Sequence, residues 1–218
     1  MSRIKSALEL ALERTENVAS DSQKLTAHER RQDGKRLLAW FYQTLMEGGL
    51  PAEDRPQGLL KKPADGIEAA RLELQQRLKQ YPEDEQQLVR EGLTEVLLAG
   101  ITLPQDETYR DTLERVRQAA YAISSNAAMI EQLFQQAFQI LDQYLQERQQ
   151  LLDNLRQQFE PRMRQKAEAY AQQTGQRVSL DPATDPEFQK YLQQANDQLQ
   201  DYYGQAVQQI RDQLRQLI

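Results

Sequence analysis

With 218 residues, the chain is long enough for one large domain or two small ones, and either can bury a core. Apolar residues make up 39%, charged residues 28%, and the mean hydropathy is −0.81, a polar balance that fits long thin helices with much surface per residue. The net charge of −6 and the absence of cysteine exclude a strongly basic nucleic-acid binder, a disulfide framework and thiol chemistry.

The first predicted helix runs from about Ser2 to Asn17, with Ile4, Ala7, Leu8, Ala11 and Leu12 on one face. Its charged residues Glu9, Glu13 and Arg14 rule out the core of a signal peptide, so a cytoplasmic setting is the expectation. The polar stretch from Ala19 to Gln23 is read as a bend or break, after which helix resumes through Leu25 to Met46. Leu37, Leu38, Phe41 and Leu45 form its stripe, and Gly48-Gly49 ends it with residues tolerant of positive φ. Residues 48–66 hold four of the nine glycines and three of the eight prolines, the clearest loop in the chain. Asp65 with Glu68 reads as a capping box opening a helix through Leu72, Leu74 and Leu78, stopped by Tyr81-Pro82. The run Glu83-Asp84-Glu85 then suits the first turn of a helix carrying Leu88, Val89, Leu93, Val96 and Leu97, closed by Gly100 and Pro104.

From 105 to 160 there is neither Gly nor Pro. A continuous helix over that stretch would span about 84 Å. Its apolar seam is Val116, Ala120, Ile123, Ala127, Ile130, Phe134, Ala137, Leu141, Tyr144, then Arg148, then Leu151 and Leu155. Steps of four and three make a seven-residue repeat of coiled-coil type. Ser124-Ser125-Asn126 is the one expected break, since such side chains compete for backbone hydrogen bonds. Pro161 is expected to kink the helix, which resumes through Met163, Ala167 and Tyr170 to Thr174-Gly175. Asp185-Pro186-Glu187 reads as N-cap, N1 and N2 of the last helix, whose stripe runs Phe188, Leu192, Ala195, Leu199, Tyr202, Ala206, Ile210, Leu214 and Leu217. The expected fold is therefore all-α: an N-terminal helical module over residues 1–104, and over 105–218 a long antiparallel coiled-coil-like helical hairpin. If residues near Gln173 and Pro186 face each other, partners on the hairpin sum to about 359 in residue number.

Chemistry is constrained mainly by what the sequence lacks. His28 is the sole histidine, which with no cysteine excludes paired Glu-x-x-His motifs, zinc-protease motifs, structural zinc and iron–sulfur clusters. No phosphate-binding loop, dinucleotide fingerprint or Gly-x-Ser-x-Gly elbow occurs. The expectation is accordingly no catalytic, cofactor-binding or metal-ligating residue, no small-molecule substrate and no membrane span. Arg30, Arg31, Lys35 and Arg36 are the densest cations but are interrupted by Asp33, a solvated helix face rather than a nucleic-acid surface. Trp40, Phe41 and Tyr42 point three ways from one helix, so they are core residues or an anchor for a partner. Arg148, a lone cation in the seam, either reaches solvent or sets register.

The opening from Ile4 to Thr15, the stretches Glu91-Gly92-Leu93 to Pro104 and Tyr144 to Arg148, and Thr174-Gly175 with Asp185-Pro186-Glu187-Phe188 resemble a bacterial protein family of unknown function. That resemblance implies a helical cytoplasmic protein without an assigned activity and carries no site residue with it. Glutamine, at roughly one position in six, supplies uncharged helical surface. The functional expectation is a non-catalytic scaffold with a protein partner or self-association, the alternatives being an adaptor or stalk-type subunit of a larger machine, or an enzyme without metal, Cys or His chemistry.

Overall fold

The computed structural model describes the backbone of residues 7–49 and 63–218, and the side chains of 23–49 and 66–218. Helices are the only regular secondary structure among them: α1 (Ala7–Met46), α2 (Pro63–Lys79), α3 (Glu83–Ala99), α4 (Tyr109–Ile123), α5 (Ala127–Thr174) and α6 (Pro186–Leu217), with one 3₁₀ turn at Pro182–Thr184. The fold is all-α, and no described helix is long and apolar enough to cross a membrane. The apolar face proposed for residues 4–12, and most of the loop at 48–66, lie outside the described side chains and residues.

Two compact units form, interleaved along the chain. One holds the described residues up to Gly100 with Glu114–Ala127 and Leu217–Ile218; the other holds Ile101–Leu113 and Ala128–Gln216.

In the first unit α1 is unbroken through the 19–23 stretch, so of the expected bend or break the break does not occur. Gly48 and Gly49 end it with φ of 87° and 97°, the left-handed values a side chain resists. Helix α2 starts at Pro63, before the expected cap at Asp65; proline suits a first turn, where its missing N–H has no partner to lose. Pro82 is the N-cap of α3 rather than its first helical residue. Leu38 and Phe41 of α1, Ala69, Ala70 and Leu74 of α2, Val89, Leu93 and Leu97 of α3, and Val116, Ala119 and Ala120 of α4 are all buried to within 1%.

Helices α1 and α3 touch backbone to backbone. A Cβ on Gly34 would fall inside the carbonyl oxygen of Val89 and 2.8 Å from the amide nitrogen of Leu93. One on Gly92 would overlap the carbonyl oxygen of Arg31 and lie 2.6 Å from its carbonyl carbon. Three ion pairs follow the contact along both helices in the same direction, so α1 and α3 run parallel. They are Arg30 to Glu85 at 2.5 Å, Arg31 to Glu91 at 2.9 Å and Lys35 to Glu95 at 2.9 Å. The basic run is thus spent on α3, while exposed pairs of this kind hold register more than they add stability.

Between α4 and α5 the chain does break at Ser124–Asn126. Ser124 Oγ accepts from the Asn126 amide at 3.1 Å and donates to the Leu217 carbonyl at 2.8 Å. Pro161 does not end α5; the Gln157 carbonyl it leaves without an intrahelical donor is on an exposed turn, open to water.

In the second unit α5 and α6 run antiparallel, since their contacts pair rising with falling numbers: Tyr144 with Tyr203, Phe159 with Phe188, Arg162 with Glu187 and Lys166 with Asp185. These sums, 347 to 351, correct the expected 359. The connection is longer than a tight turn because residues 176–181 form a non-helical segment before the 3₁₀ turn. The seam of α5 is buried at Ile130, Phe134, Ala137, Leu141 and Tyr144 as expected, but α6 turns Tyr203 and Val207 inward, leaving Tyr202 71% exposed. From Phe188 to Leu214 the inward face takes 26 residues in seven steps, nearer the straight-helix period of 3.6 than the heptad's 3.5. Spin labels at Gln150 and Gln198 are expected to lie close together. Labels at Gln150 and Gln209 should lie about 15 Å further apart along the helix. Equal distances for both pairs would contradict this register.

Candidate functional site

The aromatic triplet divides as its helical spacing requires. Phe41 is fully buried in the first unit, and Trp40 and Tyr42 are half-buried. The Trp40 ring lies under the Arg77 guanidinium, 3.9 Å from its centroid, and Glu73 holds that arginine from the other side at 2.8 Å. Beside them Leu37, Gln80 and Tyr81 line a cavity of about 490 Å³. Tyr42 carries its hydroxyl inward without a hydrogen-bond partner, and burial pushes the phenol well above its ordinary value. His28 is exposed on α1.

Arg148 is far from this group in sequence and belongs to the second unit. It is half-buried, and its guanidinium donates to the Gln105 carbonyl at 3.0 Å, tying α5 to the segment ahead of α4. Around it Leu145, Leu152, Leu192 and Asn196 border a small cavity of about 250 Å³. Near the start of α4, Asp142 takes the Tyr109 hydroxyl at 2.5 Å and Arg110 through both oxygens at 2.6 and 2.5 Å. The structure therefore does not bring Trp40, Phe41, Tyr42 and Arg148 into one site.

A larger concavity, which sequence reasoning missed, lies at the turn between α5 and α6. The non-helical segment 176–181 passes alongside the C-terminal part of α5 and leaves a groove of about 600 Å³. Met163, Ala167, Val178, Leu180 and Pro182 supply apolar lining, and Arg156, Glu160, Arg164 and Asp181 supply charge. The groove is well supported. Beneath it Phe159 and Phe188 meet edge to face at 5.4 Å, with Met163 completing the cluster. Asp185 caps α6 by accepting from the Glu187 amide at 2.9 Å and takes Lys166 at 2.5 Å; Lys166, then the Glu187 amide, hold its carboxyl below the usual range. Asp181 caps the 3₁₀ turn through the Ala183 amide. Of its lining residues Val178 and Leu180 are each 37% exposed; elsewhere on α5 and α6, Tyr170 is 44% and Tyr191 52% exposed. The sequence signal was available, since Val178 and Leu180 stand in a segment with no helical partner for them.

Among the described residues no three of His, Cys, Asp or Glu gather around a point where one metal ion would fit. Three phenols are held away from ionisation: burial pushes Tyr203 from the ordinary 10.0 up to about 12, with the Glu147 carboxylate acting in the same direction, and burial and Asp142 raise Tyr109. A proton held more tightly in the folded state gives stability that is complete below pH 10 and is lost as pH rises through the folded value. Unfolding monitored by circular dichroism should therefore set in between about pH 10 and 12. Tyr203→Phe should move that onset upward, and an unchanged onset would argue against the buried phenol as its cause.

A model of a family of unknown function, DUF6657, matches residues 75–216. No curated protein and no solved structure matches the chain.

Proposed function

The chain belongs to the DUF6657 family, a family of unknown function, and we propose that it acts as a non-catalytic helical scaffold that binds another protein at the turn between α5 and α6. One observation carries this reading. Val178 and Leu180, each exposed by more than a third, line a 600 Å³ groove together with Met163, Ala167 and Pro182. Such a patch loses hydration free energy for no structural return unless something covers it. The two long helices below it present the groove on regular structure, as a recognition surface requires. A cytoplasmic setting belongs to the same reading.

Site-specific photo-crosslinking tests it. A photoreactive residue at Leu180 should give discrete protein adducts in cells, whereas the same residue at Gln150 should not. Adducts of twice the chain mass indicate self-association, and adducts of another mass a different partner. Crosslinking that is equal at both positions, or absent at Leu180, overturns the proposal.

A further inference from the structure

The charge and backbone of the groove narrow what can occupy it; this step rests on the scaffold reading above. Three of its four charged side chains have partners within the chain: Glu160 holds Arg164 at 2.6 Å, and Asp181 caps the 3₁₀ turn through the Ala183 amide at 2.9 Å. Arg156 has no ion pair and no hydrogen bond among the described residues, so it is the charged lining group left free to pair with an occupant. One wall is the irregular segment 176–181, which supplies Val178 and Leu180 to the lining. No backbone hydrogen bond joins residues 177–180 to the rest of the described chain. That wall therefore offers free amides and carbonyls beside apolar lining.

We propose that the groove binds an extended acidic peptide segment of a partner protein. The peptide lies beside residues 177–180 and pairs with their backbone. It places alternate apolar side chains against Met163, Ala167 and Leu180, and a carboxylate on Arg156. Main-chain pairing gives such a complex affinity, and side chains at every second position give it specificity. A helical occupant would leave the free backbone of 177–180 unanswered, and a basic one would face Arg156.

The test is selection of displayed random octapeptides on the full chain, with depletion on Ala167→Trp, which fills the groove from the exposed side of α5. Enriched peptides should carry apolar residues two apart and an Asp or Glu. In fluorescence anisotropy with a selected peptide, Arg156→Gln should weaken binding about tenfold, the scale of one charge-assisted contact. Replacing the peptide's acid by its amide should cost as much on the wild-type chain and little on Arg156→Gln. Blocking alternate peptide amides by N-methylation should abolish binding. Circular dichroism melts of both variants establish that they fold. Enrichment of basic or helically spaced apolar peptides, no enrichment at all, or indifference to Arg156→Gln overturns the proposal. Protein adducts at Leu180 together with any of those results would leave the scaffold reading standing and sink this one.

Discussion

Gly92→Ala is expected to destabilise the first unit by about 3 kcal/mol, the upper range for forcing one extra methyl into a packed interior. The new Cβ would lie 2.6 Å from both the carbonyl carbon and the Cα of Arg31, and those atoms belong to the backbone of α1. A side chain could rotate away, but a helix backbone moves only as a body. Relief therefore requires α1 and α3 to separate, which would stretch the ion pairs of Arg31 and Lys35 and open the core around Leu93 and Leu97. Gly34→Ala meets Val89 and Leu93 from the other helix and should behave alike. Gly204→Ala is the control. It lies within α6 with nothing within 4 Å of its Cβ position, so alanine should stabilise by about 0.5–1 kcal/mol through helix propensity alone. Urea unfolding of the three variants checks all of this. Equal small effects at Gly92 and Gly204 would mean that the close crossing of α1 and α3 is wrong.

Those glycines also mark the limit of the sequence reading. Helical periodicity identified the class of fold and most of the inward residues of α5, because burial on one side of a helix repeats with its turn. Local polar chemistry located the break at Ser124 and the cap at Asp185, both settled by hydrogen bonds within a few residues. A glycine inside a helical pattern gives notice of close backbone approach, but nothing local says which helix approaches it. Register was lost for a related reason. Residues 176–181 add non-helical length between α5 and α6, and length in a loop carries no period to read. The same six residues make one wall of the groove, so the miss in register and the miss of the site have one cause. Tyr202 and Tyr203 show a smaller version of it. Either tyrosine continues an apolar stripe, and only the accumulated rotation from Phe188 decides that Tyr203 faces inward.

Phe188→Ala is expected to cost the second unit about 3–4 kcal/mol, from the lost burial of a large side chain and the cavity left behind. Phe188 is 1% exposed, and its ring stands at 87° to that of Phe159, with centroids 5.4 Å apart. Edge-to-face pairing of this kind contributes about 0.5–1.5 kcal/mol beyond area alone. The surrounding cluster is small: Phe159 and Met163 are its other buried members, with Leu152, Leu155, Ala183 and Leu192 partly covering them. So few neighbours cannot repack to fill the void, and the residue sits three positions after the Asp185 cap, where α6 is anchored. The damage should be local. Amide exchange should accelerate from about Leu152 to Leu192, while the region around Tyr144 and Tyr203, about fifteen residues along α5 from Phe159, keeps its protection. Phe188→Leu retains most of the volume and should cost about 1–1.5 kcal/mol. Because Met163 lines the groove and belongs to this cluster, the alanine variant should also lose peptide binding while the leucine variant keeps most of it. A loss below about 1 kcal/mol for Phe188→Ala, or exchange that accelerates evenly along both helices, would show that this cluster does not anchor the turn.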